Sequence, residues 1–368
     1  MKPLTKISVM FVLLLLGISL SAYDSGVGQV IDGPVMHVAR SAHSATRLQD
    51  GSVLIAGGMV IESDILDSTE LYDPQTETFM FTGSMLEPRV DHTASLLTDG
   101  RVLIVGGWGR NVLASAEIYD PKTGTFTATG AMASPRSGFT ETLLPDGRVL
   151  IVGGYDNHTR QFLDSAEIYD PSTGQFTATG QMSTPRLAHS ATLLEDGRVL
   201  IMGGGTFSEV WSSAELYDPK TQTFTEIDDL AGPRYKHGAA RLPDGRVLIL
   251  GGSNSEDWNG MTTRAEVFDP ETQTFALTDT LEAERFKLRD AVAVLDDGRI
   301  LIAGGSAEVE LYDPMRDTFV VVPGRIDASR FYTTATALDN GQVLIAGGYD
   351  RSITGTVKTW LFQTEPDV

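Results

Sequence analysis

The sequence predicts an all-β protein, a seven-bladed β-propeller whose ring is closed by pairing of an N-terminal strand with the last blade. Three observations predict it. The phrase V-L-I-x-G-G, once with Ile for Val, recurs seven times in 368 residues. Its glycine pairs at Gly57-Gly58, Gly106-Gly107, Gly153-Gly154, Gly203-Gly204, Gly251-Gly252, Gly304-Gly305 and Gly347-Gly348 are spaced by 49, 47, 50, 48, 53 and 43 residues. A period near 50 is what four short strands and their turns occupy in one blade. Six units carry Tyr-Asp-Pro or Phe-Asp-Pro, at Tyr72, Tyr119, Tyr169, Tyr217, Phe268 and Tyr312. The seventh unit supplies a third strand at about 357–362 and no fourth, whereas residues about 28–33 match the outer strand of a blade that has no other strands.

Unit three spells out one blade. Residues 137–144 form a first strand, and Asp146-Gly147 suits a two-residue hairpin turn with positive φ at both corners. Residues 148–152 return as an apolar strand buried on both faces, which Gly153-Gly154 ends. A third strand at 165–169 leads into Asp170-Pro171, where proline locks φ, and 175–179 alternate as an outer strand. Helical periodicity is absent. Aligning Arg40 on Arg136 puts Met36 on Met132 and Val30 on Phe126, so the N-terminal strand is expected to complete blade seven and remove its open edge.

These motifs resemble the Kelch repeat. Pro185-Arg186-Leu187-Ala188-His189 opens a first strand, Gly203-Gly204 follows the second, Tyr217-Asp218-Pro219 ends the third and Phe224 lies in the fourth. The resemblance covers roughly 28–362 and implies a Kelch-type propeller. It implies no single function, because the fold hosts oxidases, sugar-processing enzymes and binding modules. The wording P-D-G-R-V-L-I-x-G-G is similar to galactose-oxidase-like propellers, whose copper is held by tyrosines and histidines with one tyrosine cross-linked to a cysteine. This chain contains no cysteine, which speaks against copper radical oxidase activity, and no cofactor is expected.

Residues 1–22 read as a secretory signal, with Lys2 and Lys6, an apolar run at 9–16, and Ser19, Ser21 and Ala22 before the cleavage point. The run is short of the roughly 20 residues of a membrane span. The mature chain, 23–368, is expected to be one propeller domain, monomeric, and secreted or periplasmic. Lacking cysteine, it has no disulfide, thiolate metal site or cysteine nucleophile. The formal charge of -21 becomes about -23 once the signal and its two lysines are gone, which repels nucleic acid and anionic lipid. The acids are spread through every repeat, as on a solvated acidic exterior.

Function is expected on one face. The turns of the opposite face are near-identical Asp-Gly and Asp-Pro types, whereas the loops joining strands two and three vary from almost nothing after Gly305 to about ten residues after Gly58, Gly154 and Gly252. They carry Trp108 and Arg110, Tyr155 and His158, Phe207 through Trp211, Asn254 through Asn259 with Trp258, and Tyr349 with Asp350 and Arg351. Such aromatics beside carboxylates and amides suit stacking on sugar rings or a protein surface, or else pack loop on loop.

A second ring opens the first strands: Arg40, Arg89, Arg136, Arg186, Arg234, Lys287 and Arg330, followed three residues on by His43, His92, His189 and His237, with Phe139, Asp290 and Thr333 breaking the pattern. It reads either as a cationic funnel with acid–base groups or, since it recurs in nearly every blade, as a structural brace. No metal is expected from histidines on separate blades, and 254–259 offers calcium oxygen ligands without a recognised spacing. No nucleophile, phosphate-loop or dinucleotide motif occurs. The expected function is an exported, non-catalytic binding module for a protein or glycan. The alternative is a carbohydrate-active enzyme, a polysaccharide lyase or sugar epimerase, in which Arg186 neutralises a uronate while His189 or Tyr155 moves a proton.

Overall fold

The computed structural model describes residues 26–61, 63–255 and 260–364. The predicted signal segment, Trp258 and the rest of 256–259 lie outside the described residues. Seven antiparallel sheets of four strands each follow one another along the chain. In blade three the strands are Thr140–Leu143, Val149–Val152, Ser165–Asp170 and Gln175–Gln181. Blade seven is built of Thr334–Ala337, Val343–Ala346 and Thr359–Gln363, and Gln29–Asp32 from the other end of the chain is its outer strand. Val30 lies opposite Phe362 as Phe126 lies opposite Tyr119, so the ring closes in the register that the sequence alignment implies.

Burial follows from the blade geometry. The second strand is covered by a neighbouring blade on each face, which is why Val-Leu-Ile repeats there without alternation and why Val53–Ala56, Val102–Val105 and their equivalents are wholly buried. The apolar core is divided into one cluster per blade interface; that between blades seven and one joins Ile55, Tyr72 and Phe79 to Leu344, Leu361 and Met36. In six blades the aromatic of the Asp-Pro turn packs on the phenylalanine of the outer strand with ring centroids 4.8 to 5.0 Å apart, and each such burial contributes on the order of 2 kcal/mol. The hydroxyls of Tyr119, Tyr169 and Tyr217 then reach Thr82, Thr129 and Thr179 of the preceding blade at 2.9, 2.9 and 2.7 Å.

Two local expectations are corrected. The hairpin at Asp146-Gly147 is not a two-residue turn with two positive φ angles. Only Gly147 is left-handed, at φ 86°, and its N–H donates to the Leu144 carbonyl at 2.9 Å, because Pro145 holds the first corner at negative φ and makes a type I turn that glycine closes. The first strand also begins later than residue 137, because the chain bends through a left-handed residue at Gly138, φ 63°. Glycine is demanded at Gly57, where φ is 60° and a Cβ would lie 2.6 Å from the Arg89 carbonyl of the next blade. That approach lets the Gly58 N–H donate to the same carbonyl at 2.8 Å.

Candidate functional site

The ring of arginines is buried. Arg40, Arg89, Arg136, Arg186 and Arg234 are at most 1% exposed, and each serves the wall of its own blade. In blade four the Arg186 guanidinium donates to the Gly203 carbonyl at 2.9 Å, to the Ser213 carbonyl at 2.8 Å and to Glu215 at 2.8 Å. The other oxygen of Glu215 accepts the Ser183 N–H at 3.0 Å, tying the link between blades. Glu70, Glu117, Glu167, Glu266 and Glu310 do the same in their blades. These glutamates, two residues before each Tyr-Asp or Phe-Asp, are functional for the fold and were not singled out from sequence, although their recurrence in register was the available signal.

Lys287 is not the equivalent of these arginines; Arg285 is. It donates to the Gly304 carbonyl at 2.7 Å and pairs with Glu310 at 2.7 Å. Arginine and glycine pair stand 17 residues apart in the other blades, and 19 apart in blade six. Two extra residues, Arg289 and Asp290, follow Leu288, which holds the histidine position in place of Asp290. Blade seven is irregular differently. Trp360 occupies the glutamate position, and Arg330 pairs instead with Asp327 through two bonds of 2.9 Å.

The histidines are buried too, each bonded to a hydroxyl of the preceding blade: His43 to Thr334 at 3.2 Å, His92 to Ser44 at 2.9 Å, His189 to Thr140 at 2.8 Å and His237 to Ser190 at 2.7 Å. Burial, then the neighbouring arginine, holds His43 and His237 down to about 3 and the other two well below the ordinary imidazole value. The Nδ1 atoms of all four imidazoles are buried without a hydrogen-bond partner, so each ring is held through Nε2 alone. The arginines are therefore sealed in the wall rather than exposed in a cationic funnel, and burial keeps His189 neutral.

What does face the axis is the residue two beyond each arginine. Ala42, Asp91, Gly138, Ala188, Lys236, Lys287 and Tyr332 all have φ between 48° and 63°, and a circle of bonds links them. The N–H of Ala42 donates to Tyr332, of Asp91 to Ala42, of Ala188 to Gly138, of Lys236 to Ala188, of Leu288 to Lys236 and of Tyr332 to Lys287; the Asp91 carboxylate takes the Gly138 N–H at 2.9 Å. This hoop is the channel mouth on the loop face. One side of it is small, and the other carries Lys287, which is 5% exposed, donates to the Tyr349 hydroxyl at 2.8 Å and lies over the rings of Phe286, Tyr332 and Tyr349. Lys236 lies over Tyr235 at 4.9 Å.

The remaining loop candidates divide. Tyr349 is buried with Phe286 and Phe331, and Trp211 is half-buried with its indole N–H on the Pro185 carbonyl at 3.2 Å. Trp108 is half-buried in bridges to Val90 and Val112. Arg110 and His158 are exposed. Tyr155 packs on Phe162 and Phe207 at 5.1 and 4.9 Å, and Phe162 meets Phe207 at 4.8 Å. Phe207 itself is 71% exposed. The loops of blades three and four thus raise one aromatic knob into solvent.

A ring of Kelch-type blades with a sealed arginine–glutamate wall defines the class of protein, and comparison with known proteins agrees. The Kelch motif model matches residues 91–132 and 141–183, two successive repeats of the seven, and the seven-bladed all-β arrangement is consistent with Kelch repeats throughout the ring. Among solved structures it is similar to a fungal alcohol oxidase of catalytically diverse type in complex with copper, at 17% identity and TM-score 0.71, over 92% of this chain and 76% of that one. That likeness is one of fold. No curated protein matches the sequence. The residues here do not fit a copper centre of that kind: the chain has no cysteine, its channel histidines are bonded to hydroxyls on separate blades, and no group of three metal-ligating side chains occurs among the described residues.

Proposed function

We propose that the chain is an exported, monomeric binding module that recognises a protein or a glycan with its loop face and carries out no chemistry there. The observation that carries the reading is the Tyr155–Phe162–Phe207 knob, with Phe207 71% exposed beside the lysine-bearing mouth. A soluble protein spends such aromatic area on a partner. Kelch propellers commonly serve protein interaction, and Lys236 and Lys287 put positive charge at the axis of a chain whose formal charge is -21, which favours an acidic protein segment or a uronate-bearing glycan. Export rests on the 1–22 pattern, and N-terminal sequencing of fractionated material, with a start near Tyr23, checks it. No helix among the described residues is long and apolar enough to cross a membrane.

The test is a glycan array, a panel of acidic peptides and a polysaccharide depolymerisation assay on the same chain, with Phe207→Ser and Tyr155→Ala alongside. Binding that weakens about tenfold or more in both variants, without product release, supports the reading. Product release that survives purification and disappears in a Tyr155 variant overturns it in favour of the lyase or epimerase.

A further inference from the structure

Blade three departs from the repeat at a second axial position. Opposite the isoleucine of Val-Leu-Ile, the first strands carry Ala45, Ala94, Ala191, Ala239, Val292 and Ala335, but in blade three Glu141. Four of those alanines and Glu141 line an axial cavity of about 200 Å³. The fold does not call for a carboxyl there, since alanine builds the equivalent strand elsewhere.

Its surroundings follow from Phe139. Where that position is histidine, the imidazole takes the hydroxyl of the preceding blade; Phe139 cannot, so the Thr93 hydroxyl is left and donates to Glu141 Oε2 at 2.6 Å. Glu141 Oε1 is buried without a hydrogen-bond partner. Burial raises this carboxyl to about 7, with the Ser95 and Thr93 hydroxyls and Arg289 holding it from rising further and Asp290 adding to the rise.

The charges around the cavity can be counted. Arg289 crosses the axis from blade six to reach the Asp91 carboxylate at 3.1 Å and the His92 carbonyl at 3.1 Å in blade two, and it also pairs with Asp290 at 3.2 Å. It lines both this cavity and the mouth above, and so stands between Glu141 and the two lysines. Of the charged side chains that line the cavity, Arg289 and Asp290 cancel and ionised Glu141 leaves one net negative charge, while Asp91 belongs with Lys236 and Lys287 to the mouth above. His92, His189 and His237 on the wall are neutral. The hydroxyls of Ser44, Thr140 and Ser190 are each bonded to one of those imidazoles, and whichever partner donates, each hydroxyl oxygen keeps a lone pair for the cavity. Acceptors and negative charge therefore predominate, and a ligand must bring several donors and a positive charge. The volume equals about seven waters at ~30 Å³ each, and the alanines supply an apolar wall.

We propose that the axial cavity binds a small primary ammonium ion, its N–H groups meeting Glu141 Oε1 and the hydroxyl oxygens of the neighbouring blades and its short alkyl part resting on the alanines. This site is independent of the loop-face reading. Calorimetry at pH 8 with ethylammonium chloride, against tetramethylammonium, potassium and acetate salts at equal ionic strength, tests it, together with carboxyl carbon NMR of Glu141. Saturable binding of ethylammonium is expected, at least about tenfold weaker for tetramethylammonium, which has no N–H, and for Glu141→Ala and Glu141→Gln. The Glu141 midpoint is expected to fall by about one pH unit or more at saturation, because the cation favours the charged carboxyl. An unmoved midpoint overturns the proposal and leaves the cavity to water, a reading that needs no variant to fold. Preference for acetate overturns it as well, by giving control of the cavity to Arg289.

Discussion

In blades one, two, four and five the turn into the first strand carries arginine and histidine, and both side chains are consumed inside the wall. In blades three and six the same turn carries Phe139 ahead of Glu141, and Leu288 ahead of Arg289 and Asp290, and charge is turned into the axis instead. In the regular blades the guanidinium Nη groups and the imidazole Nε2 atoms bond to partners set by the repeat, while the Nε of Arg40, Arg186 and Arg234 and the imidazole Nδ1 atoms stay buried inside the wall. The exceptional blades leave groups over: the Thr93 hydroxyl without an imidazole, Glu141 Oε1 without a donor, Arg289 bridging to another blade. Repetition at this radius marks bracing, and departure from it marks the places where chemistry is available.

Breaking the regular set should have the largest effect. Arg186→Ala leaves Glu215 buried opposite two orphaned carbonyls, and losing one partner of a buried pair costs about 3–5 kcal/mol. Denaturant unfolding of Arg186→Ala should show a loss of that size. Arg330→Ala should lose less, about 1–2 kcal/mol, because its partner Asp327 is a quarter exposed and screened by solvent. Equal losses would mean that the glutamate wall adds nothing over a surface pair.

The buried histidines sharpen the same contrast through pH. Their folded values lie far below the ordinary 6.5, so below pH 6.5 the unfolded chain takes up protons that the folded chain refuses, and the stability present above pH 6.5 is lost as pH falls. His189→Leu, which gives blade four the residue that Leu288 already supplies in blade six, should flatten that fall: between pH 6.5 and 4.5 it should lose about 2 kcal/mol less than the wild type, read from urea midpoints. Glu141 has the opposite sign. Its folded value near 7 exceeds the ordinary 4.5, so its contribution is fully present below pH 4.5 and lost as pH rises through 7. Glu141→Ala should therefore be the more stable chain at pH 8, by about 1 kcal/mol once the water in the cavity is allowed for, with the advantage gone near pH 4.5.

The architecture was legible because it repeats. Seven glycine pairs and six Asp-Pro turns fixed the blade count, and the match of Val30 to Phe126 fixed the closing register. The site was legible only in part, for physical reasons. A fixed distance back from Gly304 lands on Lys287, since nothing in composition reveals that Arg289 and Asp290 are inserted; only the pairing of Arg285 with Glu310 does. The burial of the arginines depends on glutamates some 25 to 32 residues further along the chain, a separation at which no local pattern links the two. Tyr349 read as a loop aromatic because its third-dimension neighbours, Phe286 and Phe331, come from other loops.

The smallest effect on stability is expected at the knob, and that smallness is the point of the measurement. Phe207 is 71% exposed and packs only through the edges it shares with Tyr155 and Phe162, so Phe207→Ser should shift the unfolding free energy by no more than about 0.5 kcal/mol. If the knob is a recognition surface, binding to whichever acidic peptide or glycan the arrays identify should weaken about tenfold at unchanged stability. If Phe207→Ser instead unfolds the chain early while binding is unaffected, the three rings are a hydrophobic staple between the loops of blades three and four, and the recognition surface must be sought at the lysine-bearing mouth.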